Sequence, residues 1–408
     1  MSPLLTKNGS LRSGPLHVHI CAYLKLLEER GYKQSTIRPD SLLLADLDEW
    51  FAREGYRLID LNETILERFL HYHMRRRHSR RQAKSATLGR LLVMLRKDGC
   101  IAAAKVSPPS PAQQLLDVFE RYLSDELGFV KTTVSGYTTT AGQFLRTTFG
   151  KGLASVDKLD ARAVGAFIQD YARDHGRASA HYVTRALRSF FRFLRHRGYV
   201  TTDLASAVPR VASWSLAGLP KHLPPDGVDR VLARCDDTTA IGRRNHAILL
   251  ILARLGLRSC EVADLRLDDL DWQHGLVRVR SSKGGRWTSM PLPTDVGQGL
   301  ASYLEQARPR CACREVFVRH RAPVGGLTRM AIRHVASSAI SRAGITGVCL
   351  GSHTFRHTLA TDLLRHGASL DEIGEVLRHK DASTTAIYAK VDLTTLRSLA
   401  MCWPGGTP

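Results

Sequence analysis

Long apolar runs are missing from this sequence. No stretch approaches the roughly 18 consecutive apolar residues that a membrane-spanning helix needs. The opening MSPLLTKNGSLRSG carries no apolar segment of the kind that directs secretion. Neither a membrane protein nor an exported one is expected; the reading is a cytoplasmic, nucleoid-associated protein. Acidic residues are also short, 38 Asp and Glu against 59 Lys and Arg, for a formal charge of +21. The eight cysteines (Cys21, Cys100, Cys235, Cys260, Cys311, Cys313, Cys349, Cys402) are scattered, which fits reduced thiols rather than a disulfide frame. Cys311-Ala-Cys313 with His320 hints at a metal site but lacks a second ligand pair, so no metal is expected. Gly347-Val348-Cys349-Leu350-Gly351 has the outline of a nucleophile elbow without the apolar strand that such a turn follows.

What is present is basic and globular. Hydrophobic residues make up 43% and charged residues 24% of 408, enough chain for two or three domains with cores of their own. Most of the positive charge is arginine, whose planar fork matches phosphate oxygens. With a pI near 10.0, nucleic acid is the leading partner.

Helical periodicity runs from Leu16 to Arg30, through LLLADLDEWFAREG and NETILERFLHYHM, and through ATLGRLLVMLRKDGCI to Ile101. Between the last two lies MRRRHSRRQAK, where Arg75, Arg76, Arg77, Arg80 and Arg81 fall within seven residues with no acid between them. Such a run suits contact with a phosphate backbone, which positions a protein without reading bases. After Ser107-Pro108-Pro109-Ser110-Pro111 the pattern repeats: Tyr122-Leu123 answers Tyr23-Leu24, and FFRFLRHRGYV answers LLVMLRKDGCI. Two tandem copies of one helical domain are expected, at 1–105 and 111–203, then a proline-bearing linker over 204–223. In the last domain, 224–403, Asp226 is placed to cap a helix and Arg243–Gly256 reads as a strongly apolar helix. GLVRVRSSKGGRWTSMPLP reads as a β-hairpin with Lys283 at its turn, and EVFV as a buried strand between two further helices. The fold class is therefore mainly α with a small β-sheet.

The stretch Gly351–Lys390 carries the chemistry. His353 and Arg356 stand three apart at a helix start, Arg378-His379 ends a short amphipathic helix, and Tyr388 follows nine residues after His379. Two His/Arg clusters and a phenol form a set suited to holding a phosphate and attacking it.

HTFRHTLAT followed by LRHKDASTTAIYAKV resembles the carboxy-terminal signature of the tyrosine recombinases, the phage integrase family. ARLGLRSCEVADLRLDDLDW (Ala253–Trp272) resembles that family's first signature box. The resemblance runs from the second helical copy to Val391. It implies helical core-binding domains followed by an α+β catalytic domain, with the first helical copy as an extra arm. It implies Arg258 and Arg356 holding the scissile phosphate and His353 and His379 donating to its oxygens. Glu261 would support Arg258, Lys283 would protonate the leaving 5′ oxygen with Arg286 beside it on DNA, and Tyr388 would be the nucleophile. His353 would take the tyrosine proton. The implied reaction is strand exchange through a 3′-phosphotyrosine, without cofactor, ATP or metal, because arginines supply the charge. Implied partners are double-stranded DNA bearing a specific site, a homo-tetramer around two duplexes, and a second recombinase in some systems. Integration, excision or transposition of a mobile element is the expected role. A type IB topoisomerase would use nearly the same residues, and a non-catalytic DNA-binding relative would keep the charge without the full set.

Overall fold

Glycines in the left-handed region, Gly31, Gly99 and Gly198 among them, close half of the described α-helices, so the periodic segments translate directly into bundles. The computed structural model describes residues 14–76, 81–103, 108–150, 156–211, 221–280 and 287–391. Residues 1–103 with 219–408 form one unit and 104–218 the other.

The first bundle comprises α1 (His17–Glu29), α2 (Gln34–Arg53), α3 (Glu63–Arg76) and α4 (Arg81–Lys97). Tyr23, Leu44, Leu47, Phe51, Phe69 and Leu95 fill its core. Asp48 is buried there because its carboxylate accepts from the amides of Gly14 (3.0 Å) and Leu16 (2.8 Å), the free donors ahead of α1.

The second unit has its own core around Phe119, Phe144, Phe190, Phe191 and Phe193. It is built from α5 (Pro111–Arg121), α6 (Lys131–Phe149), α7 (Ala161–Asp174), α8 (Arg177–His196) and the short α9 (Leu204–Ala207). Helices α5 to α8 have 11, 19, 14 and 20 residues against 13, 20, 14 and 17 for α1 to α4. The matched pairs do not share a face. Tyr23 is buried in the first bundle, whereas in the second Leu123 is fully buried and Tyr122 only partly. A π-helical turn at Tyr122–Glu126 continues α5 and rotates that face. The stretch expected to be linker from residue 204 instead adds Leu204 and Val208 to this core, because apolar side chains beside the α7–α8 surface gain more by burial than by exposure.

The remaining elements surround α11. They are α10 (Gly227–Ala233), α11 (Ala240–Arg254), α12 (Ser259–Asp264), β1 (Leu270–Asp271), β2 (Leu276–Arg280), β3 (Trp287–Pro291), α13 (Thr294–Gln306), α14 (Arg329–Arg342), α15 (Ser352–Arg365) and α16 (Leu370–Val376). Residues Ala247 to Ala253 of α11 are all buried, as a helix apolar on every side must be, and α13, α14 and α15 pack around it. The two expected strands pair antiparallel, with Val277 opposite Met290 and Arg280 opposite Trp287. A third antiparallel strand, β1, pairs with β2.

Two local expectations differ. Asp226 sits at the N-cap of α10 but makes no side-chain cap; its carboxylate faces Arg230 at 3.5 Å. Val316, Phe317 and Val318 of EVFV are buried, but the segment is not a strand. It forms only the isolated bridges Arg266–Glu315 and Val318–Gly326, because the Arg308 guanidinium takes the carbonyls of Glu315 (2.8 Å) and Val316 (3.1 Å) that a ladder would use. Among the described residues no helix is long and apolar enough to cross a membrane.

Candidate active site

The site begins where α11 ends. Gly256 turns the chain at φ 56°, and a Cβ there would lie 3.0 Å from Leu359 and from Leu377, so both the backbone angle and the space call for glycine. Two residues on, Arg258 is the N-cap of α12. Its amide donates to Glu261 Oε2 (2.9 Å) and its Nη1 to Glu261 Oε1 (2.8 Å). The Glu261 side chain is fully buried, and Arg378 Nη2 completes the group at 3.1 Å. Burial pushes this carboxyl up, but the Arg258 amide and the two guanidinium charges outweigh it, and the net pKa lies below the usual glutamate value. A carboxylate held ionised between two arginines fixes both guanidinium planes.

Arg356 arrives from the second turn of α15 and is 4% exposed. Its Nη1 donates to the carbonyl of Gly256 at 2.6 Å and its Nη2 to the carbonyl of Leu377. One side chain thereby ties the end of α11 to the end of α16, at a sequence distance of 121 residues between those two carbonyls (377 minus 256). Burial, then the charges of Arg258 and Arg378, lower its pKa to about 9, which leaves it cationic at neutral pH.

Three imidazoles surround these arginines. His353 is on the open side of α15; desolvation within the basic cluster and then Arg356, Arg258 and Arg333 hold its pKa below the usual histidine value. His379 Nδ1 meets Thr385 Oγ1 at 2.7 Å, and burial plus Arg356, Arg258 and Arg378 bring it down to about 4. It is neutral at pH 7, with its other nitrogen not used in that contact. The third is His357, whose Nδ1 lies 2.9 Å from the Tyr388 hydroxyl. Its pKa is also lowered, by burial and then by His353 and Arg356.

Tyr388 is 2% exposed and packs with Ala360, Ile373 and Leu377. Burial raises its pKa, and Arg356 works against that rise. The phenol is thus neutral, close to a neutral imidazole and within the field of a buried guanidinium.

The structure gathers Arg258, Glu261, His353, Arg356, His379 and Tyr388 of the sequence expectation into one cluster through hydrogen bonds and mutual charge effects. Lys283 and Arg286 lie outside the described residues, as do Arg77 and Arg80. Arg75 and Arg76 end α3 and Arg81 opens α4; their side chains are not among those described. One member, His357, is absent from the sequence expectation, and another, Arg378, stands in its His/Arg pair without a separate role. His357 was legible as the residue four after His353 on the same helix face. Arg378 was visible as the partner of His379 but carried no signal of its own role. Among the described residues no group of three or more His, Cys, Asp or Glu side chains is placed to hold a metal ion. His320 points Nε2 at the carbonyl of Ala307 (3.0 Å), not at the cysteines.

The second unit carries a separate basic feature. Arg188, Arg192, Arg195, His196 and Arg210 line a cleft of about 790 Å³. Arg188 Nη2 bonds the carbonyls of Val208 and Pro209 (3.0 and 2.9 Å), so α8 and the segment after α9 hold its wall together.

With this geometry in view, the comparisons with known proteins are specific. Residues 221–394 match the model of the phage integrase family, and residues 116–198 that of the phage integrase N-terminal SAM-like domain. A Sinorhizobium fredii protein with the provisional name integrase/recombinase y4rA is 42% identical over 395 residues, covering 96% of this chain and 95% of its own. Tyrosine recombinase XerD of Listeria monocytogenes serotype 4b is 32% identical over 296 residues, 70% of this chain and 96% of XerD. A solved lambda integrase tetramer bound to a Holliday junction shares the fold, with TM-score 0.52 and 17% identity over 74% of this chain and 88% of the other. The chain belongs to the phage integrase family. It is a tyrosine recombinase, an enzyme that cuts and rejoins DNA strands through a tyrosine nucleophile.

Proposed function

We propose that this recombinase is site-specific and serves the integration, excision or transposition of a mobile element. The gathering of Arg258, His379 and Tyr388 about the buried Arg356 guanidinium, itself tied to the Leu377 carbonyl, carries the chemical part of the reading. The mobile-element part is supported by coverage. The y4rA match takes in nearly the whole chain, extra amino-terminal bundle included, whereas the XerD match takes in 70% of it.

In this reading Arg258 and Arg356 face the non-bridging oxygens of the scissile phosphate, with His353 and His379 donating beside them. The Tyr388 oxygen forms a bond to phosphorus as the bond from phosphorus to the 5′ oxygen breaks. Lys283 gives its proton to that leaving oxygen. The tyrosine proton passes to Nδ1 of His357, the imidazole already 2.9 Å away, rather than to His353. A 5′-hydroxyl from the partner duplex then reverses the step, so the phosphodiester energy is retained. Residues 1–105 serve as an arm domain, 111–203 as the core-binding domain and 224–403 as the catalytic domain. The arginine cleft of the second unit and the run Arg75–Arg81 contact DNA phosphates. The working form is a tetramer on two duplexes, in the cytoplasm at the nucleoid; the similarly folded lambda integrase forms a tetramer bound to a Holliday junction.

The test is recombination itself. Two labelled duplexes bearing the junctions of the element that encodes the protein are incubated with it. Products with exchanged flanks, and a four-way junction that accumulates when one strand exchange is blocked, are expected. Relaxation of a supercoiled plasmid without exchanged flanks would replace this reading with a DNA-relaxing enzyme. Salt-sensitive binding with neither product would replace it with a binding module.

A further inference from the structure

Arg378 has no part in the scheme above, yet its surroundings are tightly constrained. Among the described residues it is the only non-glycine with positive φ, at 56°, a conformation that an arginine adopts only under strain. Its side chain is 8% exposed. Nη2 meets Glu261 Oε2 at 3.1 Å and Nη1 the carbonyl of Val376 at 3.3 Å, beside the Met290 sulfur. Nε is buried without a protein partner. Strain and burial together are retained where something depends on them.

The geometry at Glu261 indicates what depends on them. A carboxylate facing one arginine pairs bidentately, fork to fork. Here Oε1 receives Arg258 Nη1, while Oε2 is taken by the Arg258 amide and by Arg378. Arg258 therefore makes a one-point side-chain contact with its carboxylate, and the rest of its fork stays outside that ion pair. The same strained residue joins Leu377, whose carbonyl anchors Arg356, to His379. A helix-compatible φ at 378 would redirect both neighbours.

We propose that Arg378 is a positioning residue for the strand-cleavage reaction. By filling, together with the Arg258 amide, the remaining acceptor capacity of Glu261 Oε2, it keeps Arg258 from a closed bidentate pair and leaves that guanidinium available to phosphate. The proposal rests on the reading that Arg258 holds the scissile phosphate.

The test compares Arg378→Gly, which accepts φ 56° but removes the guanidinium, with Arg378→Lys, which restores one cation to Oε2. Both are assayed for single-turnover cleavage of a nicked duplex at saturating DNA, and for DNA affinity. The glycine variant is expected to cleave about tenfold or more slowly while its Kd changes less than about threefold, a loss confined to the transition state. The lysine variant is expected to recover most of that loss. A purely structural role would move the folded fraction instead, read by circular dichroism at the assay temperature. If the glycine variant does not fold, Arg378→Gln, which keeps length without charge, is read in the same way. A glycine or glutamine variant that folds and cleaves within about twofold of wild type overturns the proposal, as does a lysine variant no faster than the glycine one. Arg258→Lys separates the two layers. If it cleaves like wild type, the phosphate-holding reading fails and the proposal with it. If it is inactive while Arg378→Gly is unimpaired, the proposal alone fails.

Discussion

Replacing Glu261 by glutamine keeps its shape and removes one charge, and the structure sets the size of the effect. The carboxylate takes three donors at 2.8 to 3.1 Å with its side chain fully buried. Arg378, 8% exposed, would be left without its counter-ion, while Arg258, 26% exposed, has partial access to water. Removing one partner of a buried ion pair costs roughly 3–5 kcal/mol, far above the ~1 kcal/mol of a surface pair. For a domain of this size each kcal/mol shifts Tm by about 2–4 °C, so Glu261→Gln should melt roughly 6–20 °C below wild type at pH 7. The sign with pH follows from the depressed carboxyl pKa. Its stabilisation is complete above the unfolded value of about 4.5 and is lost as pH falls through the lower folded value, so the two proteins should converge in acid. Calorimetry from pH 7 to pH 3 measures both effects. A loss below about 1 kcal/mol at pH 7, or a gap that widens in acid, would refute the assignment of Glu261 as a buried counter-ion.

Other outcomes follow from the same contacts. Thr358→Val removes the hydroxyl that accepts from the Leu223 amide at 2.9 Å; the orphaned donor should cost about 1–3 kcal/mol in urea unfolding, and a change under about 0.5 kcal/mol would count against that bond. His379 titrates near 4 when folded, and His353 and His357 also lie below their usual value. The unfolded chain therefore binds protons first, and Tm should fall as pH drops from about 6.5 toward 4; a His379→Gln variant should show a shallower decline. His357→Ala should slow adduct formation about 100-fold at pH 7 if its imidazole takes the tyrosine proton, whereas equal rates with wild type would return that role to His353.

The helices, the two paired strands and most of the cluster were legible because each rests on local pattern: periodicity, alternation, and the spacing of His353, Arg356, His379 and Tyr388. What escaped depends on contacts remote in sequence. EVFV has the composition of a strand, but Arg308 takes the carbonyls that a neighbouring strand would need. Leu204 and Val208 looked like linker because two apolar residues set no period, and only the surface of the second core gives them a place. Arg378 reads as one more basic residue; its left-handed backbone and its pairing with a glutamate 117 positions earlier arise only when the turn after α16 meets α12. His357 is the instructive miss, since H-x-x-R-H was plain in the sequence and only the burial of Tyr388 shows what its last histidine reaches.

The most direct test of the central claim is a denaturing gel of the protein incubated with a nicked duplex from its own element, the nick placed so that cleavage cannot reverse. Wild type and Tyr388→Phe run side by side. Wild type should give a protein–DNA adduct whose modified peptide contains Tyr388, and the phenylalanine variant should bind the duplex without forming one. An adduct of equal yield from both proteins would place the nucleophile on another residue and contradict the account.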